Sequence, residues 1–137
     1  MAITAAPAPF RIWPQRVLIA GASEWSEPGQ VHDALTDVWH DIVSLYGPEA
    51  RMIVMHADEE TGAVAAARDW AHAHGIPDEP HAVNGLYRPG APISRVRSMV
   101  DHADFVLAFL APGDHRAKAT ALLAGRAGRP VRRIEAP

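Results

Sequence analysis

The feature that most constrains the fold is an alternation of short apolar runs with longer segments of helical periodicity. The five runs predicted to be strands are RVLIAG (16–21), RMIVMH (51–56), PHAVN (80–84), DFVLAFL (104–110) and PVRRIE (130–135). The first helical segment ends at Gly47-Pro48 and repeats apolar residues at helical spacing: Val31, Leu35, Val38, Trp39, Ile42 and Leu45. Further helices are predicted over 61–75, 93–103 and 115–128. Strands that alternate with helices predict an α/β protein with a mainly parallel sheet.

The connections between these elements leave few possible topologies, because crossovers between parallel strands are right-handed. We predict a Rossmann-like three-layer sandwich whose five strands lie in the order 3-2-1-4-5. The first and fourth strands are then neighbours, and ligands of such sheets bind where the strand order reverses, at the carboxyl ends of the strands. Three loops are expected there: GASEW (21–25), HADEETG (56–62) and APGDHRAK (111–118).

Length and composition narrow the class of protein. A chain of 137 residues predicts one domain, over 16–137, preceded by a proline-rich arm over 1–15. A net charge of −3 gives no reason to expect a nucleic-acid or membrane partner. The chain has no cysteine, which excludes disulfides, zinc thiolates and cysteine nucleophiles. Neither a membrane span nor a cationic, apolar leader is present, so a cytoplasmic protein is expected.

The loop after the first strand contains one glycine and therefore lacks the G-x-G-x-x-G pattern of dinucleotide-binding folds. Gly21 is expected to permit a tight turn or a close approach of the backbone. Ser23 could contact a phosphate or cap a turn.

The loop after the second strand carries four side chains that could bind a hard divalent cation: His56, Asp58, Glu59 and Glu60. The same acids also suit the N-terminus of the following helix, where Asp58 or Thr61 could serve as N-cap. The second interpretation is favoured, and no metal or other cofactor is predicted.

The loop after the fourth strand combines a flexible turn with an unusual charge distribution. Gly113 can adopt a left-handed conformation, and Asp114 can cap the helix that follows. His115, Arg116 and Lys118 then fall in the first turn of that helix, where cations oppose the helix dipole. This conflict suggests an anionic ligand.

Arg95 and Arg97 follow the loop GLYRPGAP and are also candidates for binding an anion. Residues at i and i+2 of a helix do not face the same way, so at most one of them is expected to reach a ligand. A solvated charge or an ion pair is the alternative.

These motifs resemble those of the SLOG superfamily of Rossmann-like nucleotide-binding domains, particularly its YspA-like branch. Relatives of that branch include the LOG-type phosphoribohydrolases and the DNA-processing protein A fold. GASEW is similar to the family's GGRDF, and HADEETGAVAAARDWA is similar to HGGARGADRLAARWA. APISRVRSM keeps Pro92, Arg95 and Met99 of a pattern like GPxRNxxM, and PGDHRA stands where the family has PGGxGT. The resemblance covers about residues 16–135.

The resemblance implies that the chain binds a nucleotide or a nucleotide derivative and forms a homo-oligomer. The ligand-binding residues it suggests, together with the loop chemistry above, are Gly21, Ala22, Ser23, Trp25, His56, Gly62, Arg95, Arg97, Gly113, Asp114, His115 and Arg116. Glycines that let the backbone approach a phosphate in the family are replaced by Ala57, Asp58 and Asp114. Weak or absent catalysis is therefore expected.

Two alternatives remain open. The chain could hydrolyse the N-glycosidic bond of a nucleoside 5′-monophosphate, with Glu24 and Arg95 as catalytic residues or with an acid from 58–60 in place of Glu24. It could instead be a degenerate scaffold that binds other proteins through its proline-rich arm and through exposed aromatic residues such as Trp25.

Overall fold

The computed structural model of the chain describes residues 13–21, 23–81 and 91–137, with the backbone alone described for 91–94. The strands of this part are β1 (Gln15–Gly21), β2 (Met52–His56), β3 (Asp78–Pro80), β4 (Phe105–Leu110) and β5 (Val131–Glu135). Its helices are α1 (Pro28–Tyr46), α2 (Gly62–Ala73), α3 (Ala91–His102) and α4 (His115–Arg126). Expectations for residues 1–12, for Ala22 and for 82–90 lie outside the described residues.

The five strands form one sheet in the order β3-β2-β1-β4-β5, and every neighbouring pair is parallel. This confirms the predicted strand order and the Rossmann-like α/β architecture. β1 and β4 are paired up to Gly21, which lies opposite Phe109. The carboxyl ends of these two central strands therefore lie level with each other, where the strand order reverses.

Alternate side chains of the central strands serve two separate cores. Val17 and Ile19 of β1 pack on the side covered by α1 and α2, together with Leu35 and Trp70. Leu18 and Ala20 point to the opposite side, which α3 and α4 cover. Because side chains alternate across a strand, a continuous apolar run such as VLIA serves both faces of a buried parallel sheet.

Two predicted details of the elements were wrong. The third strand, predicted to begin at residue 80, begins at Asp78, and its last residue is Pro80; residues 82–84 of the predicted range lie outside the described part of the chain. Leu45 was expected on the buried face of the first helix, but it is 77% exposed. The reason is length: α1 has 19 residues and is therefore about 28 Å long, whereas a seven-residue strand such as β1 spans only about 23 Å. The exposure of residues 44–46 at the end of α1 agrees with this difference in length.

Helix starts were predicted with partial success. Asp114 is the N-cap of α4, as expected, and its carboxylate accepts hydrogen bonds from the N–H groups of Arg116 and Ala117. Thr61 occupies the N-cap position of α2 but makes no capping bond. Its hydroxyl donates instead to the carbonyl of Ser23 at 3.1 Å, which ties together the loops after β1 and β2. Among the described helices, none is long and apolar enough to cross a membrane.

Candidate functional site

A cavity of about 380 Å³ opens at the carboxyl ends of β1 and β4. Its walls come from the end of β1, from residues 23–24, from Ala57 and Glu59 after β2, from one face of α3, and from residues 111–114 with the first turns of α4. This is the position at which parallel α/β sheets bind their ligands, and the volume lies in the range of small-molecule sites.

The inner wall of the cavity is apolar and lies between α3 and α4. It is formed by Leu18, Val96, Met99, Ala117 and Leu123. The polar side chains of the cavity are Ser23, Glu24, Glu59, Arg95, Asp114, Arg116 and Thr120. An apolar wall with a small number of charged groups is typical of a site for an organic ion.

Two guanidinium groups, those of Arg95 and Arg116, line the same cavity. Burial lowers the pKa of Arg95, and the positive charge of Arg116 lowers it further, while Glu59 acts in the opposite direction. An arginine does not lose its proton at ordinary pH, so this lowering measures an unfavourable environment for its charge. An anion bound between the two groups would relieve both the desolvation and the repulsion.

Arg95 retains unused hydrogen-bonding capacity. Its Nη1 donates to the carbonyl of His81 at 3.2 Å. Its Nε is buried and has no hydrogen-bond partner among the described residues. Buried donors are normally paired, so this group is a candidate for contact with a ligand.

The loop after β4 contains a glycine in the left-handed conformation and places a carboxylate at the start of α4. Gly113 has φ +79°, and a Cβ there would meet no atom within 4 Å, so this glycine is needed for its backbone conformation. Asp114 Oδ1 accepts from the N–H groups of Arg116 at 3.1 Å and Ala117 at 3.3 Å. These are the groups that a helix N-terminus offers to a phosphate, and here a carboxylate occupies them.

The loop after β1 begins and ends with residues that serve packing, Gly21 and Trp25. A Cβ on Gly21 would lie 2.5 Å from the Cβ of Ala63 in α2, so this position is glycine because the helix packs closely against the strand. Trp25 was expected to be exposed, and this was wrong: it is 7% exposed. Its ring meets Phe109 edge to face at 5.5 Å, and its indole N–H donates to the carbonyl of Glu27 at 2.9 Å. Its large apolar ring fills the core beside β4.

The loop after β2 is held by His56, which is fully buried. Its Nδ1 accepts from the backbone N–H of Asp58 at 3.0 Å, and its Nε2 lies 2.8 Å from the Oδ2 of Asp78. Since a backbone N–H can only donate, Nδ1 carries no proton, and Nε2 is the nitrogen that donates to the carboxylate. Both ring nitrogens are thus used in holding this loop to β3.

Asp78 bridges two imidazoles, because its Oδ1 also lies 3.0 Å from the Nε2 of His72. Desolvation by burial would raise the pKa of Asp78, but the hydrogen bonds from His56 and His72 outweigh it and the pKa is lowered. This cluster lies outside the cavity and has a structural role at the edge of the sheet.

Asp58, another acid of that loop, is paired with an arginine of α2. Asp58 has φ +58° and pairs with Arg68 Nη2 at 2.9 Å; the same nitrogen donates to the carbonyl of Glu59 at 3.0 Å. Gly62 begins α2 with φ +71°. In the described part of the chain, no three histidines or acids are grouped so that they could hold a metal ion.

The structure thus separates the predicted site residues into two groups. Those that line the cavity are Gly21, Ser23, Glu24, Arg95, Gly113, Asp114 and Arg116. Those of the described residues that do not line it are Trp25, His56, Gly62, Arg97 and His115. Arg97 is exposed, so of the two candidate arginines on α3 only Arg95 reaches the cavity, as the i, i+2 spacing had indicated.

Sequence reasoning missed the apolar wall of the site. Val96, Thr120 and Leu123 had no assigned role, and Met99 was named only in the resemblance to the pattern GPxRNxxM. The available signal, apolar residues at helical spacing, is the same for a helix that faces a core and for one that faces a cavity.

Comparison with known proteins adds no family to this picture: no protein-family model matches the chain, and no curated protein is significantly similar to it in sequence. The resemblance to the SLOG superfamily therefore remains a prediction. The strand order and the cavity stand on the structure alone.

Proposed function

We propose that this protein binds a nucleotide or a nucleotide derivative in the cavity at the ends of β1 and β4, without strong catalysis. The single observation that carries the proposal is that Arg95 and Arg116 line the same cavity, where burial and the positive charge of Arg116 lower the pKa of Arg95. An anionic group placed between them would gain charge-assisted hydrogen bonds to planar, bidentate donors.

The apolar wall supports the choice of a nucleotide over a simple anion. The cavity lining divides into charged groups and an apolar set, Val96, Met99 and Leu123, against which a flat ring can pack. A ligand with one aromatic part and one anionic part, joined by a polar sugar, fits this division.

Calorimetric titration with AMP, ADP-ribose and NAD tests the proposal. We expect binding of at least one of these ligands, weakened about tenfold or more by Arg95→Ala and by Arg116→Ala, because each removes a charge-assisted contact. Arg97→Ala and Lys118→Ala are the matched controls: each removes one exposed cation from the same helix as its counterpart, and neither residue lines the cavity.

The absence of binding by all three ligands at millimolar concentration would contradict the proposal. An equal loss of affinity in the cavity variants and in their controls would also contradict it, because the effect would then reflect overall charge.

A second candidate function is favoured by the acids in the cavity. Glu24 and Glu59 line it together with Arg95, and such carboxylates could stabilise an oxocarbenium-like sugar during N-glycosidic hydrolysis of a nucleoside monophosphate. Water would then replace the base at the sugar carbon and release the free base. Base release measured by chromatography, and lost in Glu24→Ala, Glu59→Ala and Arg95→Ala, would establish this activity.

Other expectations stay predictions. The scaffold alternative named Trp25 as an exposed aromatic residue that could contact other proteins, but Trp25 is buried. Homo-oligomer formation is testable by light scattering after gel filtration, and a cytoplasmic location by fractionation of cells that express the chain.

A further inference from the structure

Asp114 has two unequal carboxylate oxygens. Oδ1 accepts the N–H groups of Arg116 and Ala117 at the start of α4. Oδ2 is buried and has no hydrogen-bond partner among the described residues, although Asp114 lines the cavity. A buried, charged acceptor without a donor is costly, so a donor supplied by a bound ligand would be favoured at this position.

The unpaired groups of the cavity are complementary in kind. Arg95 Nε is a buried donor without an acceptor, and Asp114 Oδ2 is a buried acceptor without a donor, within the described part of the chain. Both residues line the same cavity. A ligand that satisfies them needs an acceptor or anion at one place and a hydroxyl or amino donor at another.

The charges of the cavity wall also limit how much negative charge the ligand can carry. Three carboxylates, those of Glu24, Glu59 and Asp114, accompany the two guanidinium groups. A chain of phosphates would place several negative charges among these carboxylates, at an energetic cost because like charges repel. It would also find the N-terminus of α4 already occupied by an anion.

We infer that Asp114 determines the ligand class of this cavity: it keeps phosphate away from the N-terminus of α4 and accepts a hydrogen bond from a ligand hydroxyl. The inference rests on the proposed function and deepens it. The ligand is then a nucleoside-type molecule whose single anionic group lies at Arg95 and Arg116 and whose sugar hydroxyl lies at Asp114. Nucleoside di- and triphosphates bind poorly.

The test compares the wild-type chain with Asp114→Asn and Asp114→Gly, using AMP, ATP and inorganic pyrophosphate as probes in calorimetry. Asparagine and glycine are both favourable N-cap residues, so both variants are expected to fold. Asparagine removes the charge, whereas glycine also frees the two N–H groups. Glu24→Gln is the matched control, because it removes one negative charge from the cavity wall without affecting α4.

We expect the wild-type chain to bind AMP about tenfold or more tightly than ATP and to give no heat with pyrophosphate. Asp114→Asn should reduce the ratio of the affinity for AMP to the affinity for ATP. Asp114→Gly should gain pyrophosphate binding, because a helix N-terminus with free N–H groups attracts anions. Glu24→Gln should gain no pyrophosphate binding.

The inference is overturned if ATP binds the wild-type chain as tightly as AMP does, or if Asp114→Gly gains no pyrophosphate binding. Either result leaves the proposed function standing as long as AMP binds. Failure of the wild-type chain to bind any nucleotide overturns the proposed function and the ligand class together. The pyrophosphate titration still decides whether Asp114 blocks the N-terminus of α4.

Discussion

The loops after β2 and β4 have similar sequence features but differ in how far their charged side chains are paired with other protein groups. Each follows a buried strand, contains a residue with positive φ, leads into a helix and carries several charged side chains. In the loop after β2, His56 bonds to Asp58 and Asp78, and Asp58 pairs with Arg68. In the loop after β4, one Asp114 oxygen caps α4 and the other has no partner among the described residues.

This difference shows how a structural cluster can be told from a binding site. In the first loop the ring nitrogens of His56 and the carboxylate of Asp58 are paired with other protein groups, so their removal costs stability and no ligand is needed to explain them. In the second, like charges and unpaired atoms gather around a cavity, and a ligand would lower their energy. The number of charged residues does not distinguish the two loops; their pairing does.

The largest effect on stability is expected from His56→Ala, about 3 kcal/mol in the free energy of unfolding. The substitution leaves a buried void and removes the partners of Asp58 N–H and Asp78. Urea unfolding measures the loss, with His40→Ala, an exposed histidine on α1, as the control. A loss below about 1 kcal/mol would mean that the cluster does not hold the loop.

Gly21→Ala should cost about 2 kcal/mol, because its new methyl group would overlap Ala63 at 2.5 Å. The double variant with Ala63→Gly relieves this overlap and should recover part of the loss, as measured in a double-mutant cycle. If the stability losses of Gly21→Ala and Ala63→Gly simply add in the double variant, the glycine is required for some reason other than packing.

A smaller effect should appear in the pH dependence of stability, through Asp78. Its pKa in the folded chain lies below its ordinary value of 3.8. Its contribution to the free energy of unfolding is therefore complete above pH 3.8 and is lost as the pH falls through the pKa of the folded chain. Urea unfolding between pH 6 and 2.5 should show the difference between wild type and Asp78→Asn shrinking below about pH 3.8. Asp37→Asn, at an exposed carboxylate of α1, should show no such change.

Arg68→Ala should have the smallest effect, about 0.5 kcal/mol, since its partner Asp58 is 43% exposed and the pair is open to solvent. Thermal unfolding checks this, with Arg51→Ala, at an exposed arginine between α1 and β2, as the comparison. A loss above about 2 kcal/mol would place Arg68 in the same cooperative network as His56.

Much of the fold was predictable because the signals behind it are local. Short runs five to seven residues long marked the strands, and the right-handed crossover rule left few topologies, among which the predicted order β3-β2-β1-β4-β5 is confirmed. The cap at Asp114 and the positive φ of Gly113 followed from turn chemistry within a few residues. Errors arose where local periodicity carries no information about where the sheet ends: Leu45 is exposed, and the third strand begins at Asp78.

The position of the candidate site could be predicted from the sequence, but only some of its residues could. The topology predicted it at the ends of β1 and β4; Asp114 and Arg116 were named from the loop after β4, and Arg95 from the helix that follows GLYRPGAP. His56 at the end of β2 and Trp25 after β1 had equally suggestive positions, yet both are buried in the interior. A polar residue after a strand can turn toward the cavity or toward the core, and sequence position alone does not distinguish these orientations.

The sequence by itself determined the alternation of strands and helices, the order of the sheet and the edge at which a ligand would bind. Only the tertiary structure decided which charges are neutralised and which remain available. The reason is that secondary structure and caps depend on neighbours a few residues apart, whereas pairing depends on distant partners. His56 forms a hydrogen bond with Asp78, which is 22 residues away in the sequence, and the charges of Glu59 and Arg116 shift the pKa of Arg95.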